Sequence, residues 1–269
     1  LSIRRQRQMC IRDRCKQMII VGDQKQLPPS SRFEKDYSSD EILEDDVDVE
    51  YSESILELAD KVIGSKNALS LGWHYRSKHT SLIDFSNYYF YDNKLTVFAS
   101  NDVGSKVVHK PVENSQYRGG VNRPEVKAVI DALLEQIKSD NEKSIIIATM
   151  NQQQEAEVNL ELEAEFKNNK MLRDFDNKHQ GTLNELAVKK LEDIQGDERD
   201  VVIISTVYGP DADGKITQMF GDINRANGHR RLNVLFTRAK HKVILVTSLR
   251  SSNIKAVSYT HLTLPTNRE

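Results

Sequence analysis

The strongest constraint on this chain is a set of short, wholly apolar runs separated by amphipathic stretches. Gln17–Val21 (QMIIV), Ser144–Thr149 (SIIIAT), Val201–Thr206 (VVIIST) and Lys242–Thr247 (KVILVT) show no apolar–polar alternation. A strand with one wet face alternates, so these runs read as strands covered on both faces, the habit of a parallel sheet. Between them, Ser54–Ile63, Ser81–Phe90 (Leu82, Phe85 and Tyr89 on one face), Arg123–Lys138, Asn151–Phe166 and the shorter Arg231–Lys240 carry helical spacing. Ala68–Leu71 is a further strand candidate, while Ser30–Glu53, Lys167–Asn184 and Gly209–Gly228 read as loop or polar linker. The two periods in alternation predict an α/β fold, a parallel sheet with helices on both faces. Ligands of such folds sit beyond the carboxyl ends of the strands, and the polar clusters are expected there.

The two ends decide what the net charge means. Arg4–Asp13 (RRQRQMCIRD) is encoded by CGTCGGCAGCGTCAGATGTGTATAAGAGAC, whose reverse complement, one frame along, encodes VSYTHLTLPT, which is Val257–Thr266. One stretch of DNA read in both directions accounts for both ends, so residues 1–14 and 257–269 are expected to be translated sequencing adapter around a native Cys15–Ala256. The whole chain carries 38 Lys+Arg against 40 Asp+Glu, a net of −2. Without Arg4, Arg5, Arg7, Arg12, Arg14, Arg268, Asp13 and Glu269 the balance is 32 against 38, or −6. The basic N-terminal arm therefore carries no argument for nucleic acid, which has to rest on local motifs. The remaining ~240 residues suit one large domain or a domain with an insertion. No apolar run approaches the ~18 residues of a membrane span, and no signal peptide is visible. Cys15, alone outside the flanks, excludes a disulfide framework or zinc cluster. A cytoplasmic protein without membrane contact is expected.

Three polar clusters carry candidate chemistry. In Gly22-Asp23-Gln24-Lys25-Gln26-Leu27-Pro28-Pro29 a strand stops at a glycine and two prolines stiffen the exit. A Gln held there can sense a phosphate or orient a water; an ordinary strand-to-turn transition fits equally. Gln195-Gly196-Asp197-Glu198-Arg199-Asp200 precedes a strand, and Gly196 permits a tight turn or close ligand approach. A charged hairpin explains it as well. Arg230–Lys240 (RRLNVLFTRAK) is more informative, because on a helix Arg231, Val234 and Arg238 share a side (i, i+3, i+7). Guanidiniums in a row suit a polyphosphate, which they grip bidentately. The alternative is a solvated basic face with Leu232, Leu235 and Phe236 in the core.

In this order the clusters resemble superfamily 1 helicases of the branch that includes the nonsense-mediated-decay helicase and its bacterial relatives. GDQKQLPP is similar to motif III, WHYRSKHTSLIDFSNYYFY to motif IV, VKKLEDIQGDERDVVIIST to motif V and RRLNVLFTRAK to motif VI. The resemblance covers nearly all of Cys15–Ile254, and QGDERDV also occurs in large bacterial helicase-like ATPases. It implies a P-loop NTPase fold: residues 15–30 a remnant of a first RecA-like domain, 31–66 an acidic linker and helix, and 67–254 the second RecA-like motor domain. ATP is the implied nucleotide, with Mg²⁺ held mainly by the first domain and no metal ligand here. The implied partners are single-stranded DNA or RNA, DNA favoured, and that first domain.

By the same resemblance Gln26 contacts the γ-phosphate, with Gly22 and Asp23 in its loop. Arg76 and Arg238 are arginine fingers, and Glu198 binds near the ribose or γ-phosphate. Gln195 and Gly196 shape the turn, and Arg231 joins the nucleotide site. Thr149 and Asn151 at a helix start, with Ser205 and Thr206, are candidates for strand contacts; a plain helix cap explains the first two equally. Trp73 and the Tyr88–Tyr91 group are expected to pack rather than stack bases. The chain has no G-x-x-x-x-G-K-S/T loop and no Asp-Glu pair closing a strand before Lys16, both of which belong upstream in the family. The adapter boundary predicts their loss, and the fragment alone is expected to be inactive. The competing readings are a nucleotide-gated switch in a nuclease or defence assembly that does not unwind, and a non-catalytic nucleic-acid-binding domain.

Overall fold

The computed structural model describes residues 19–27, 54–64, 67–98, 101–224 and 228–254. The adapter-like ends, Pro28-Pro29 and the acidic stretch lie outside them. The chain divides into two compact units, Leu1–Ser70 and Leu71–Glu269.

In the first unit, helix α1 (Ile55–Ile63) starts at Ser54, whose hydroxyl accepts from Glu57 N–H at 3.2 Å, and ends at Gly64 (φ +80°). The expected strand at Gln17–Val21 is not formed over its described residues; Ile19 and Val21 are about four-fifths exposed. Among the described residues this unit holds no other strand to pair with it, and an apolar run without a ladder has nothing to fix it.

The second unit is built on five parallel strands: β3 (Val107–Pro111), β6 (Ile145–Thr149), β7 (Ala187–Lys190), β8 (Arg199–Ser205) and β9 (Ala239–Thr247), in the order β3-β9-β8-β6-β7. Two small ladders lie outside it, β1 (Trp73–His74) with β2 (Thr96–Val97), and β4 (Tyr117–Arg118) with β5 (Val121–Asn122). Helices α2 (Asp84–Phe90), α3 (Arg123–Ser139), α4 (Gln152–Asn168), α5 (Lys170–His179) and α6 (His229–Phe236) complete it. Residues alternate between sheet faces. Ile145, Ile147, Val201, Ile203, Ile244 and Val246 pack with Val129, Leu133 and Ile137 of α3, Val158 of α4 and Leu172 and Phe175 of α5. Ile146, Val202, Ile204 and Val243, also buried, face the other way, and Phe90, Val234 and Leu235 of the mutually packed α2 and α6 are buried as well. The parallel sheet with two covered faces is therefore the fold observed.

Several elements differ from expectation. The polar linker Lys167–Asn184 contains α5, capped by Asn169, whose side chain accepts from Leu172 N–H. Its apolar content is confined to one edge, Met171, Leu172 and Phe175, which suffices because that edge faces the core. Ala68–Leu71 forms no strand; Leu69 and Leu71 are exposed and pairing starts at Trp73. Strands β3 and β7 were absent from the apolar pattern because both are sheet edges. Ser81–Phe90 breaks into a 3₁₀ turn and α2, and its inward face is Leu82, Ser86 and Phe90, leaving Tyr89 outside.

Asn151 caps α4 as expected, accepting from Gln154 N–H at 2.8 Å. Asn151→Ala is expected to lower unfolding free energy by ~1 kcal/mol, while Asn151→Ser stays close to wild type; urea midpoints of the two variants check this.

Candidate functional site

The loops that precede β8 and β9 meet the segment after β1. Lys78 N–H donates to Lys240 O (2.8 Å), Ser77 Oγ to Ala239 O (3.3 Å), and Ser77 N–H to His74 Nε2 (3.1 Å). These bonds lay Arg76 across the turn between α6 and β9, where its Nη1 donates to Thr237 O (3.2 Å) and its Nε to Glu198 Oε2 (2.9 Å). Glu198 binds Lys240 Nζ through Oε1 at 2.8 Å, and these two cations, Lys240 first, hold its carboxyl below the usual range. Arg238 lies beside them, 2 % exposed. Its Nε donates to Val234 O (2.8 Å), Nη1 to Asp197 O (3.4 Å) and Nη2 to Thr237 Oγ1 (3.0 Å). Burial, with Arg76 next, pulls the Arg238 guanidinium down to about 10. Two guanidiniums beside a carboxylate already paired with Lys240 are groups of the kind that suit a polyphosphate such as that of ATP, and not metal ligands.

Two expectations change here. Helix α6 ends at Phe236, so Arg238 is not on its face; Thr237, with φ −92° and ψ 5°, leaves helical geometry and turns the chain into β9. Arg231 is held apart by Glu192 (Nε–Oε1, 3.2 Å) and Asp222 O (3.4 Å). In place of a row there is a converging cluster drawn from the segment after β1, the turn between α6 and β9, and the start of β9. It lies at the amino ends of β8 and β9, not the carboxyl ends, since Glu198 and Arg238 precede the strands that position them.

Gln195 and Gly196 are exposed, and Gly196 takes φ +94°, a conformation that favours glycine. Asp200 accepts from Ser144 N–H and Oγ, joining the starts of β6 and β8. In the other unit, Gln26 Nε2 donates to Asp23 Oδ2 (2.8 Å) while Asp23 Oδ1 accepts from Lys25 N–H; a Cβ on Gly22 would stand 3.0 Å from Leu56 Cδ2.

The carboxyl ends carry a different site. Thr149 and Ser205 are register partners at the ends of β6 and β8. The chain leaves β6 toward β7 and β8 toward β9, so this is where the sheet's winding reverses. Asn151 Nδ2 donates to Gly120 O (2.9 Å), and Thr149 Oγ1 to Asn151 O. Ser205 is fully buried; its hydroxyl donates to Glu125 Oε1 (2.8 Å) and accepts from Gln154 Nε2, so its side chain is not open to a strand. Thr206 Oγ1 is bonded to Thr247 Oγ1 at 2.7 Å.

Glu125, which sequence reasoning missed, organises this end. Buried beneath the strand ends, it accepts from Ser205 Oγ, Val207 N–H (2.6 Å), and Ser248 N–H and Oγ. Burial pushes its carboxyl up to about 7. It also fixes a backbone outlier: Val207 takes φ +69° in a γ-turn closed by Tyr208 N–H to Thr206 O (2.7 Å). A β-branched residue there costs ~1–3 kcal/mol and persists only where neighbours impose it. Trp73 is 63 % exposed, its ring tilted against that of Phe98 (5.0 Å), and Tyr88 and Tyr89 are also open. Tyr91 does pack, accepting from Asn233 Nδ2.

Residues 101–250 match the family model described as an AAA domain, more than half of the chain. The chain belongs to the AAA-domain family. This AAA domain is 33 % identical over 252 residues to an uncharacterized ATP-dependent helicase of Mycoplasma pneumoniae, covering 89 % of the chain and 22 % of the relative. It is 32 % identical over 260 residues to an uncharacterized ATP-dependent helicase of Mycoplasma genitalium, covering 93 % of the chain and 22 % of the relative. The chain thus spans about a fifth of the length of these curated relatives. The solved C-terminal domain of a possible DNA helicase from Lactobacillus plantarum aligns with 69 % of the chain and 97 % of its own length, at 17 % identity and a TM-score of 0.34, too loosely to support anything about this fold. The family model and the two mycoplasma relatives bear out the resemblance to helicases. No described helix of the AAA domain is long and apolar enough to cross a membrane.

Proposed function

We propose that this AAA domain is the second motor domain of an ATP-dependent nucleic-acid helicase or translocase, and that it delivers Arg76 and Arg238 to a nucleotide held by another RecA-like domain of the same protein. The observation that carries the reading is the convergence of Arg76, Arg238 and Lys240 around Glu198 at one end of the sheet. Arg238 is pre-aimed by carbonyls and does not have to be ordered at the moment of reaction; such preorganised charge is what stabilises a transferring phosphoryl group. Arg76 is held by one carboxylate and one carbonyl and is the more easily redirected of the two. Glu198, by the family resemblance, would bind near the ribose or γ-phosphate once Arg76 turns away. The γ-phosphate contact of Gln26 and the Mg²⁺ belong, by the family resemblance, to the first domain. Asn151 remains the proposed contact to a single strand, DNA favoured, at the opposite end of β8, ~20 Å along a seven-residue strand, while Thr149, 1 % exposed, is closed to it as Ser205 is. Repeated closing and opening of the two domains would then step the motor along the strand.

The test is strand-stimulated ATP turnover and strand displacement by the full-length protein. Both are expected. Turnover without displacement would favour a nucleotide-gated switch in a nuclease or defence assembly, and no stimulation by either DNA or RNA would contradict the proposal. The isolated chain is expected to show no ATP turnover; clear turnover by the purified chain would refute the sharing of the site.

A further inference from the structure

We infer that Lys240 is a positioning residue that sets how readily Arg76 leaves its resting partner for a phosphate. The inference rests on the reading above, in which Arg76 reaches nucleotide. Arg76 is tied by Nε to Glu198 Oε2 at 2.9 Å, and its second bond goes only to the Thr237 carbonyl. To grip phosphate oxygens with its planar fork, Arg76 has to give up the carboxylate. The carboxylate left behind would then stand unpaired beside arriving phosphates of the same sign. Lys240 prevents this, because its Nζ holds the other oxygen, Oε1, at 2.8 Å.

The geometry makes Lys240 a fixed anchor and Arg76 the movable one. Lys240 belongs to β9, an interior strand of the five-stranded sheet. Arg76 sits in a segment between β1 and a 3₁₀ turn, outside the five-stranded sheet. Glu198 stands at the lip of β8 with one oxygen bound by Arg76 from the segment after β1 and the other by Lys240 from β9. When Arg76 transfers, Glu198 exchanges two cations for one rather than one for none. Lys240 acts through Glu198 and needs no contact with the nucleotide.

The experiment is a double-mutant cycle in the full-length protein, reading kcat and KM of strand-stimulated ATP hydrolysis for Lys240→Met, Glu198→Gln, the double variant and Arg76→Ala. Lys240→Met is expected to lower kcat by ~5-fold with KM nearly unchanged, since the cost falls on a step after binding. In the Glu198→Gln background the same substitution is expected to change kcat by less than ~2-fold, because no anion is left to hold Arg76. Lys240→Arg is expected to restore most of the loss. If Lys240→Met does not fold, Lys240→Gln serves in the same cycle. Equal losses in both backgrounds, with Arg76→Ala still severe, would overturn this inference and leave the arginine reading standing. Full turnover by Arg76→Ala would overturn both.

Discussion

Arg238→Ala in the full-length protein is expected to lower strand-stimulated ATP turnover by ~10³-fold, the lower end of what an arginine finger contributes. KM is expected to change far less, because the side chain acts where charge develops rather than on the ground state. The fold should survive. Thr237 Oγ1 also donates to Val234 O, so that carbonyl keeps a partner when the Arg238 Nε is removed. Arg238→Lys is expected to recover little. The native side chain donates to three separate acceptors through Nε, Nη1 and Nη2, and an ammonium on a flexible stem cannot reproduce that fork. Steady-state ATPase, with circular dichroism to confirm folding, measures both. Turnover within ~10-fold of wild type would remove Arg238 from the reacting site.

The second large effect lies at the other end of the sheet. Glu125→Ala is expected to lower unfolding free energy by ~3–5 kcal/mol, since it orphans buried donors from Ser205, Val207 and Ser248 and frees the strained Val207 turn. Glu125→Gln is milder and reports on pH. The folded carboxyl titrates near 7, above its unfolded value of about 4.5. Below pH ~4.5 the group is protonated in both states, and between 4.5 and 7 only the folded state keeps the proton. Its contribution is therefore fully present at low pH and is lost as pH rises through 7, by ~3 kcal/mol in all. Urea midpoints of wild type and Glu125→Gln at pH 5 and pH 8 isolate this group: the wild-type advantage is expected to shrink at pH 8. An advantage that grows with pH would show that Glu125 is buried as a charged acceptor.

The sheet was legible where its strands are covered on both faces. Ile145–Thr149, Val201–Ser205 and Lys242–Thr247 carry no polar alternation, and each lies within an interior strand. The edges were not legible. Strand β7 is AVKK, with two lysines that blunt an open ladder, and β3 ends in Pro111, a residue suited to an edge. Helix α5 was hidden because only Met171, Leu172 and Phe175 touch the core. At the site, candidate residues were named through motif order, but the helical reading of Arg231, Val234 and Arg238 carried α6 to Lys240, four residues past its end at Phe236. Glu125 gave no signal at all: one carboxylate in an amphipathic helix looks like a solvated residue until the strand ends close over it. Lys240 stood inside a recognised motif, yet its partner Glu198 lies 42 residues earlier, beyond any local pattern.

In the proposed motor, nucleotide meets this domain at the amino ends of β8 and β9, across from the end proposed to meet a single strand. The most direct measurement is photo-cross-linking of the full-length protein with an ATP analogue carrying an aryl azide on its γ-phosphate, followed by peptide mapping. Labelling of peptides that span Trp73–Lys78 or Thr237–His241, competed away by ATP, is the predicted result. Label confined to Thr149–Gln154 or Ser205–Gly209 would place the nucleotide at the other end of the sheet and contradict it.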